Sequence, residues 1–152
     1  NAALARPDLF HAVVADSFDG RTLNDNFSAN LLAERKAAKE DIQSRQFYEW
    51  CQGADWENVV NLDTEALLIC AEEKRPLFHK PLCELKIPIL FMGSREDKSC
   101  RSNIEEEYRE MASLIPQSCV HLFPSGGHPA IMSNAEEAAK QIKDFINKNI
   151  YY

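Results

Sequence analysis

The sequence has no apolar run near the ~20 consecutive residues that a membrane-spanning helix needs. One of its longest, Ile87–Met92, already carries Pro88 inside. No stretch at the start joins a basic segment to an apolar core, so no secretory signal is visible. Basic residues are the minority, 17 Lys and Arg against 24 Asp and Glu for a net charge of −7. Nucleic-acid affinity rests on neutralising phosphates with Lys and Arg, so this balance excludes a nucleic-acid partner. No two of the five cysteines (Cys51, Cys70, Cys83, Cys100, Cys119) lie at C-x-x-C spacing. An odd, scattered set fits neither a disulfide framework nor a zinc site, and reduced thiols place the chain in the cytoplasm. There is no HExxH, calcium loop or glycine-rich phosphate loop, so neither a metal nor a cofactor is expected. Internal repeats and low-complexity segments are also missing.

What is present is enough for a packed core: 152 residues, 45% of them apolar. Ala12-Val13-Val14-Ala15 is short, β-branched and bounded by polar residues, which predicts a buried strand. Ile87–Met92 predicts a second, with Pro88 at its entry where a missing ladder donor is tolerated. Ser118–Phe123 predicts a third. Ile104–Ser113 reads as a helix with Ile104, Tyr108 and Met111 on one face, and its first-turn acids Glu105–Glu107 suit the dipole. Ala135–Ile150 reads as a closing amphipathic helix behind Asn134, with Ala138, Ile142, Phe145 and Ile146 facing inward. Alternating strands and helices make the chain α/β.

Between the first two strands lie some sixty residues of helical character, more than a crossover needs. Phe27–Leu32 and the Lys/Glu/Ala-rich Ala33–Arg45 are helical, a third helix is expected near Phe47–Cys51, and a fourth begins behind Asp55. Its stripe is Val59, Leu62, Ala66, Leu67 and Cys70. The Glu34–Glu40 run reads as a solvated face. This organisation predicts a core from 1–21 and 86–152 with a helical insertion, 22–85.

Ligands of an open α/β sheet gather beyond the carboxyl ends of its strands. Two such ends carry chemistry: Glu96 and Asp97 after the second strand, and His128 after the third. The acid precedes the histidine by 31 positions, with one helix and one strand between. Parallel neighbours bring both loops to one rim, where a carboxylate can fix the imidazole tautomer and leave the other nitrogen as a base. His11, His79 and His121 begin a strand, join prolines and sit within a strand, respectively, and none has this setting. Ser125 lies too close to His128 in sequence to be its nucleophile, and Ser17 reads as a turn residue. Trp50 and Trp56, with Phe47 and Tyr48, are candidates for lining a substrate pocket, or for simple packing.

Three segments resemble the last part of the α/β-hydrolase superfamily: Arg6-Pro7-Asp8-Leu9-Phe10-His11-Ala12-Val13-Val14-Ala15-Asp16, Ile87–Met92 followed by Gly93-Ser94-Arg95-Glu96-Asp97, and Gly126-Gly127-His128-Pro129. They look like that family's strands six, seven and eight, and the insertion looks like its helical cap. The resemblance implies a partial α/β-hydrolase fold with parallel strands, flanking helices and a cap. It also implies chain order nucleophile, acid, histidine. His128 is then the base, and Asp97 the acid ahead of Glu96, because the shorter carboxylate is the usual partner; Asp16 stands third.

This sequence departs from the family at the nucleophile, for no Gly-x-Ser-x-Gly occurs in it. Asn1–Ala5 looks like the remnant of the helix that follows such an elbow. The chain is therefore expected to be the C-terminal fragment of a serine-type hydrolase acting on an ester, amide or similar small acyl substrate. Alone it would be inactive. Its expected partners are that acyl substrate and either the missing N-terminal half or another copy, which would cover an open sheet edge. The alternatives are a non-catalytic interaction module on the same scaffold, or a hydrolase with a different upstream nucleophile such as aspartate or cysteine.

Overall fold

The structure is a computed structural model that describes residues 1–150. It divides into two compact units, one made of Asn1–Arg21 and the chain from Pro76 onward, the other of Thr22–Arg75.

The first unit is built on a parallel sheet in the order β1 (Val13–Asp16), β2 (Ile89–Ser94), β3 (Ser118–Phe123). Val13 pairs with Ile89 and Asp16 with Met92, while Ile89 pairs with Ser118 and Ser94 with Phe123. All three carboxyl ends therefore open on one rim. Successive side chains of a strand point to opposite faces, and β2 follows this rule with apolar residues on both. Ile89 and Phe91 join Ala3, Leu4, Ile104, Tyr108, Met111 and Ile115 in one core. Leu90 and Met92 join Phe123, Ala130, Ala138 and Phe145 in the other. Helices thus cover both faces, α1 (Ala2–Ala5) and α5 (Ile104–Ser113) on one, α6 (Ala130–Ser133) and α7 (Ala135–Ile150) on the other. Each side chain of this size, once fully buried, contributes roughly 1.5–3 kcal/mol.

The predicted burial of the first strand holds only in part. Every residue of β1 is half-buried, because β1 is an outer strand and β2 alone has neighbours on both sides. The helical insertion is also shorter than the expected 22–85. Residues after Arg75 pack with the sheet, and Leu82 and Leu85 bury in the core that holds Ala3 and Leu4.

The second unit contains α2 (Phe27–Glu40), α3 (Ile42–Gln52) and α4 (Trp56–Glu72). The Lys/Glu/Ala-rich stretch is not continuous, since Asp41 breaks it. Its carboxylate accepts from Ser44 N at 2.7 Å and from Ser44 Oγ at 2.8 Å, capping α3. The helix expected near Phe47 is the second half of α3, closed by Gly53 at positive φ. Asp55 occupies the N-cap position of α4, but its carboxylate accepts from the Asn58 side chain at 3.3 Å, not from the backbone. A small interior forms around Leu31, Trp56 and Val60. There the Tyr48 ring stacks on Trp56 at 5.7 Å, and Arg35 ties Tyr48 to Asp63 with two bonds of 2.8 Å.

Candidate active site

The rim of the sheet begins with β1. Ser17, the residue after it, has φ 50°, a left-handed conformation that non-glycine residues seldom take. Its N–H donates to Met92 O at 3.0 Å, and its Oγ accepts from Ala130 N at 2.7 Å. Asp16 Oδ2 accepts from Ile131 N at 3.0 Å. The loop after β3 is thereby fixed to the end of β1, across the end of β2. Tyr108, fully buried on α5, accepts from Phe18 N at 3.0 Å and donates to Phe18 O at 2.8 Å. Burial pushes its phenol pKa well up, although the hydrogen bond from Phe18 works the other way.

Glu107 secures the next turn of this loop. Its Oε1 accepts from Arg21 N at 2.8 Å and Nε at 2.9 Å, and its Oε2 accepts from Arg21 Nη2 at 2.8 Å. Arg101 Nη1 adds an ion pair at 3.5 Å. The Arg21 guanidinium holds this carboxyl below the ordinary glutamate range, against the upward push of burial. Gly20 faces the same carboxylate at φ 101°, and a Cβ there would run into the Glu107 side chain. A residue with a side chain cannot occupy that turn without displacing Glu107.

The turn after β2 delivers Asp97. Its side chain is 1% exposed. Oδ1 accepts from Ser99 N at 3.0 Å, and Oδ2 faces both the Cys100 thiol at 3.5 Å and His128 Nδ1 at 2.9 Å. A carboxylate offers only lone pairs, so Nδ1 is the proton-bearing nitrogen of a neutral His128 ring and Nε2 is left as the acceptor. The His128 side chain is 40% exposed. Burial, and then the charge of Asp97, pushes the Cys100 thiol pKa far above that of a free cysteine. Gly126 lies in the same loop, two residues before His128. It has φ 115°, and a Cβ there would sit 2.6 Å from Ser133 Oγ.

No protein-family model and no curated protein matches the chain. Solved structures do. One is NosK from Streptomyces actuosus, with a TM-score of 0.75 at 16% identity, over 97% of this chain and 63% of that one. A serine hydrolase involved in carbazole degradation, CarC, matches at 0.63 and 21% identity, over 96% of this chain and 57% of that one. An enol-lactonase from Burkholderia xenovorans LB400 matches at 0.57 and 15% identity, over 96% and 60%. The fold is a partial α/β-hydrolase fold, its C-terminal part. The chain spans about three fifths of the length of these structures.

The other residues singled out by sequence stand in different settings. Glu96 points outward as an exposed residue, its N–H donating to Ser94 Oγ at 3.2 Å. Asp16 serves the α6 backbone. His121 packs edge-on against Phe123 at 4.6 Å, His79 Nδ1 lies 2.8 Å from Asn1 Oδ1, and His11 is exposed. Ser125 is exposed, and its carbonyl accepts from Asn134 Nδ2 at 3.0 Å. Trp56 is buried in the helical unit, whereas Trp50 is 81% exposed there beside Phe47.

Sequence reasoning missed Cys100, Ser17, Tyr108 as a polar residue, and Glu107. Cys100 had a signal, its spacing of three from Asp97. Asp97, Cys100 and His128 each offer a donor atom, all within 4.8 Å of one another, a grouping that could hold a metal ion. Among the described residues no helix is long and apolar enough to cross a membrane, and all five cysteines are unbridged.

Proposed function

We propose that the chain supplies the base and the acid of a serine-type hydrolase acting on an ester, amide or similar small acyl substrate. The observation that carries this reading is the 2.9 Å contact between His128 Nδ1 and the buried Asp97 Oδ2. In this scheme His128 Nε2 takes the proton from a nucleophile hydroxyl that precedes this chain in the full protein, then returns it to the leaving group. Asp97 holds the tautomer and stabilises the imidazolium as it forms. Burial serves that task, because a charge shielded from water acts more strongly on its neighbour. The helical insertion is the cap of this scheme, with Trp50 exposed on its surface and Trp56 buried in its interior.

By this account the chain alone is inactive, and the open edge of β1 is covered by the rest of the protein or by another copy. Its unbridged thiols and the lack of an apolar span suit the cytoplasm. A fluorophosphonate probe applied to the full protein tests the reading. Labelling that His128→Ala abolishes is the expected result. An unlabelled protein overturns the serine reading and leaves the scaffold to a different nucleophile or to a non-catalytic role.

A further inference from the structure

Three chemically different donors meet at one point of the rim. Asp97 contributes Oδ2, Cys100 contributes Sγ 3.5 Å from that oxygen, and His128 contributes Nδ1 2.9 Å from it. All three lie within 4.8 Å of one another. A tetrahedral zinc ion with bonds of about 2.0–2.3 Å spaces its ligand atoms roughly 3–4 Å apart. The two separations from Oδ2 fall near that spacing, and the third is no more than 4.8 Å.

We propose that Asp97, Cys100 and His128 form a binding site for a thiophilic divalent cation of the zinc type. Several features of the surroundings favour it. Asp97 already spends Oδ1 on Ser99 N, so Oδ2 is the oxygen left to bind. The carboxylates of Asp16 and Asp19 also act electrostatically on Cys100. Asp16 Oδ1 is buried with no hydrogen-bond partner among the described residues. His128, 40% exposed, is the opening through which an ion enters. The sulfur and imidazole donors select zinc or cobalt over magnesium and calcium, which take oxygen ligands. A fourth position stays open to water.

Binding replaces two hydrogen bonds to Oδ2 by one cation. The Cys100 thiol loses its proton to solvent and binds as thiolate. His128 stays neutral, its proton passing from Nδ1 to Nε2 as Nδ1 takes the metal. On the hydrolytic reading above, a ring protonated at Nε2 cannot accept a proton, so the ion is an inhibitor. That consequence rests on the proposed function; the binding itself does not.

The test is a titration of the reduced full protein with Co²⁺ and with Zn²⁺. The expected result is a near-ultraviolet thiolate-to-cobalt band, displaced by Zn²⁺ and untouched by Mg²⁺. Cys100→Ala should remove the band and weaken zinc binding by at least the ~10-fold that loss of even an outer partner costs. His128→Ala, at an exposed side chain, should weaken it likewise with the circular dichroism unchanged. A folded protein with no band, or a band that survives Cys100→Ala, overturns the proposal. The readout needs no catalysis. A protein that binds cobalt but resists fluorophosphonate loses only the hydrolytic reading, and one that is labelled but binds no cobalt loses only the metal site.

Discussion

Ser17 Oγ accepts a hydrogen bond of 2.7 Å from the backbone N–H of Ala130, two residues after His128 and 113 positions along the chain. Both groups are buried. This bond ties the end of β1 to the loop that carries the histidine, so the position of the imidazole depends on a strand to which it is not adjacent. Ser17→Ala leaves a buried donor without a partner, which costs about 1–3 kcal/mol. Urea denaturation should show the midpoint fall with the slope unchanged.

Glu107 gives the chain an acid-side limit. Its folded pKa lies below the unfolded value because Arg21 binds the charged form. The stabilisation is therefore complete above the unfolded glutamate pKa of about 4.3 and is lost as pH falls through the lower folded value. Thermal melts should be flat in this contribution above about pH 5 and decline below about pH 4. Glu107→Gln should lower the melting temperature at neutral pH, since Arg21 and Arg101 lose their shared anion, and should flatten the decline at low pH. A variant with the wild-type acid profile would refute this assignment.

Gly126 is the backbone condition for the site. Alanine there meets both a strained φ of 115° and the Ser133 hydroxyl. Gly126→Ala should keep the fold, because the loop is at the surface, yet reduce activity of the full protein more than stability. Gly127, where an added Cβ meets nothing within 4 Å, is the control: Gly127→Ala should change neither by much.

In the full protein, Asp97→Asn should lower kcat by about 10³–10⁴-fold, through loss of the tautomer that leaves Nε2 free. Glu96→Gln should leave kcat within a small factor, since Glu96 is exposed and it is Asp97 that contacts His128. A large effect at Glu96 and none at Asp97 would reverse the choice of acid.

Much of this was legible from residues alone. The strand at Ile87–Met92, the α5 limits at Ile104 and Ser113, and the final helix from Ala135 all follow from short apolar runs and helical spacing. The turn after Ser94 buries Asp97, the fourth residue past Gly93, and exposes Glu96, the third, a difference that spacing alone does not reveal. Local pattern says less about non-local matters. The half-burial of β1 depends on its place at the sheet edge, and the helix break at Asp41 on a capping bond that competes with good helix formers. The anchoring roles of Ser17 and Glu107 join residues 86 to 113 positions apart. No spacing rule reaches that far. Leu82 and Leu85 were assigned to the insertion for the same reason, as burial against Ala3 and Leu4 is a tertiary fact.

The account rests on His128 carrying its proton on Nδ1 and donating it in a hydrogen bond to Asp97. Nitrogen-15 NMR of the metal-free protein, at a pH where this ring is neutral, reads that directly. The expected spectrum has a protonated Nδ1 with a far-downfield proton, an unprotonated Nε2, and loss of the downfield signal in Asp97→Ala. A neutral ring protonated at Nε2 with Nδ1 bare, or a downfield proton that persists without Asp97, would contradict it.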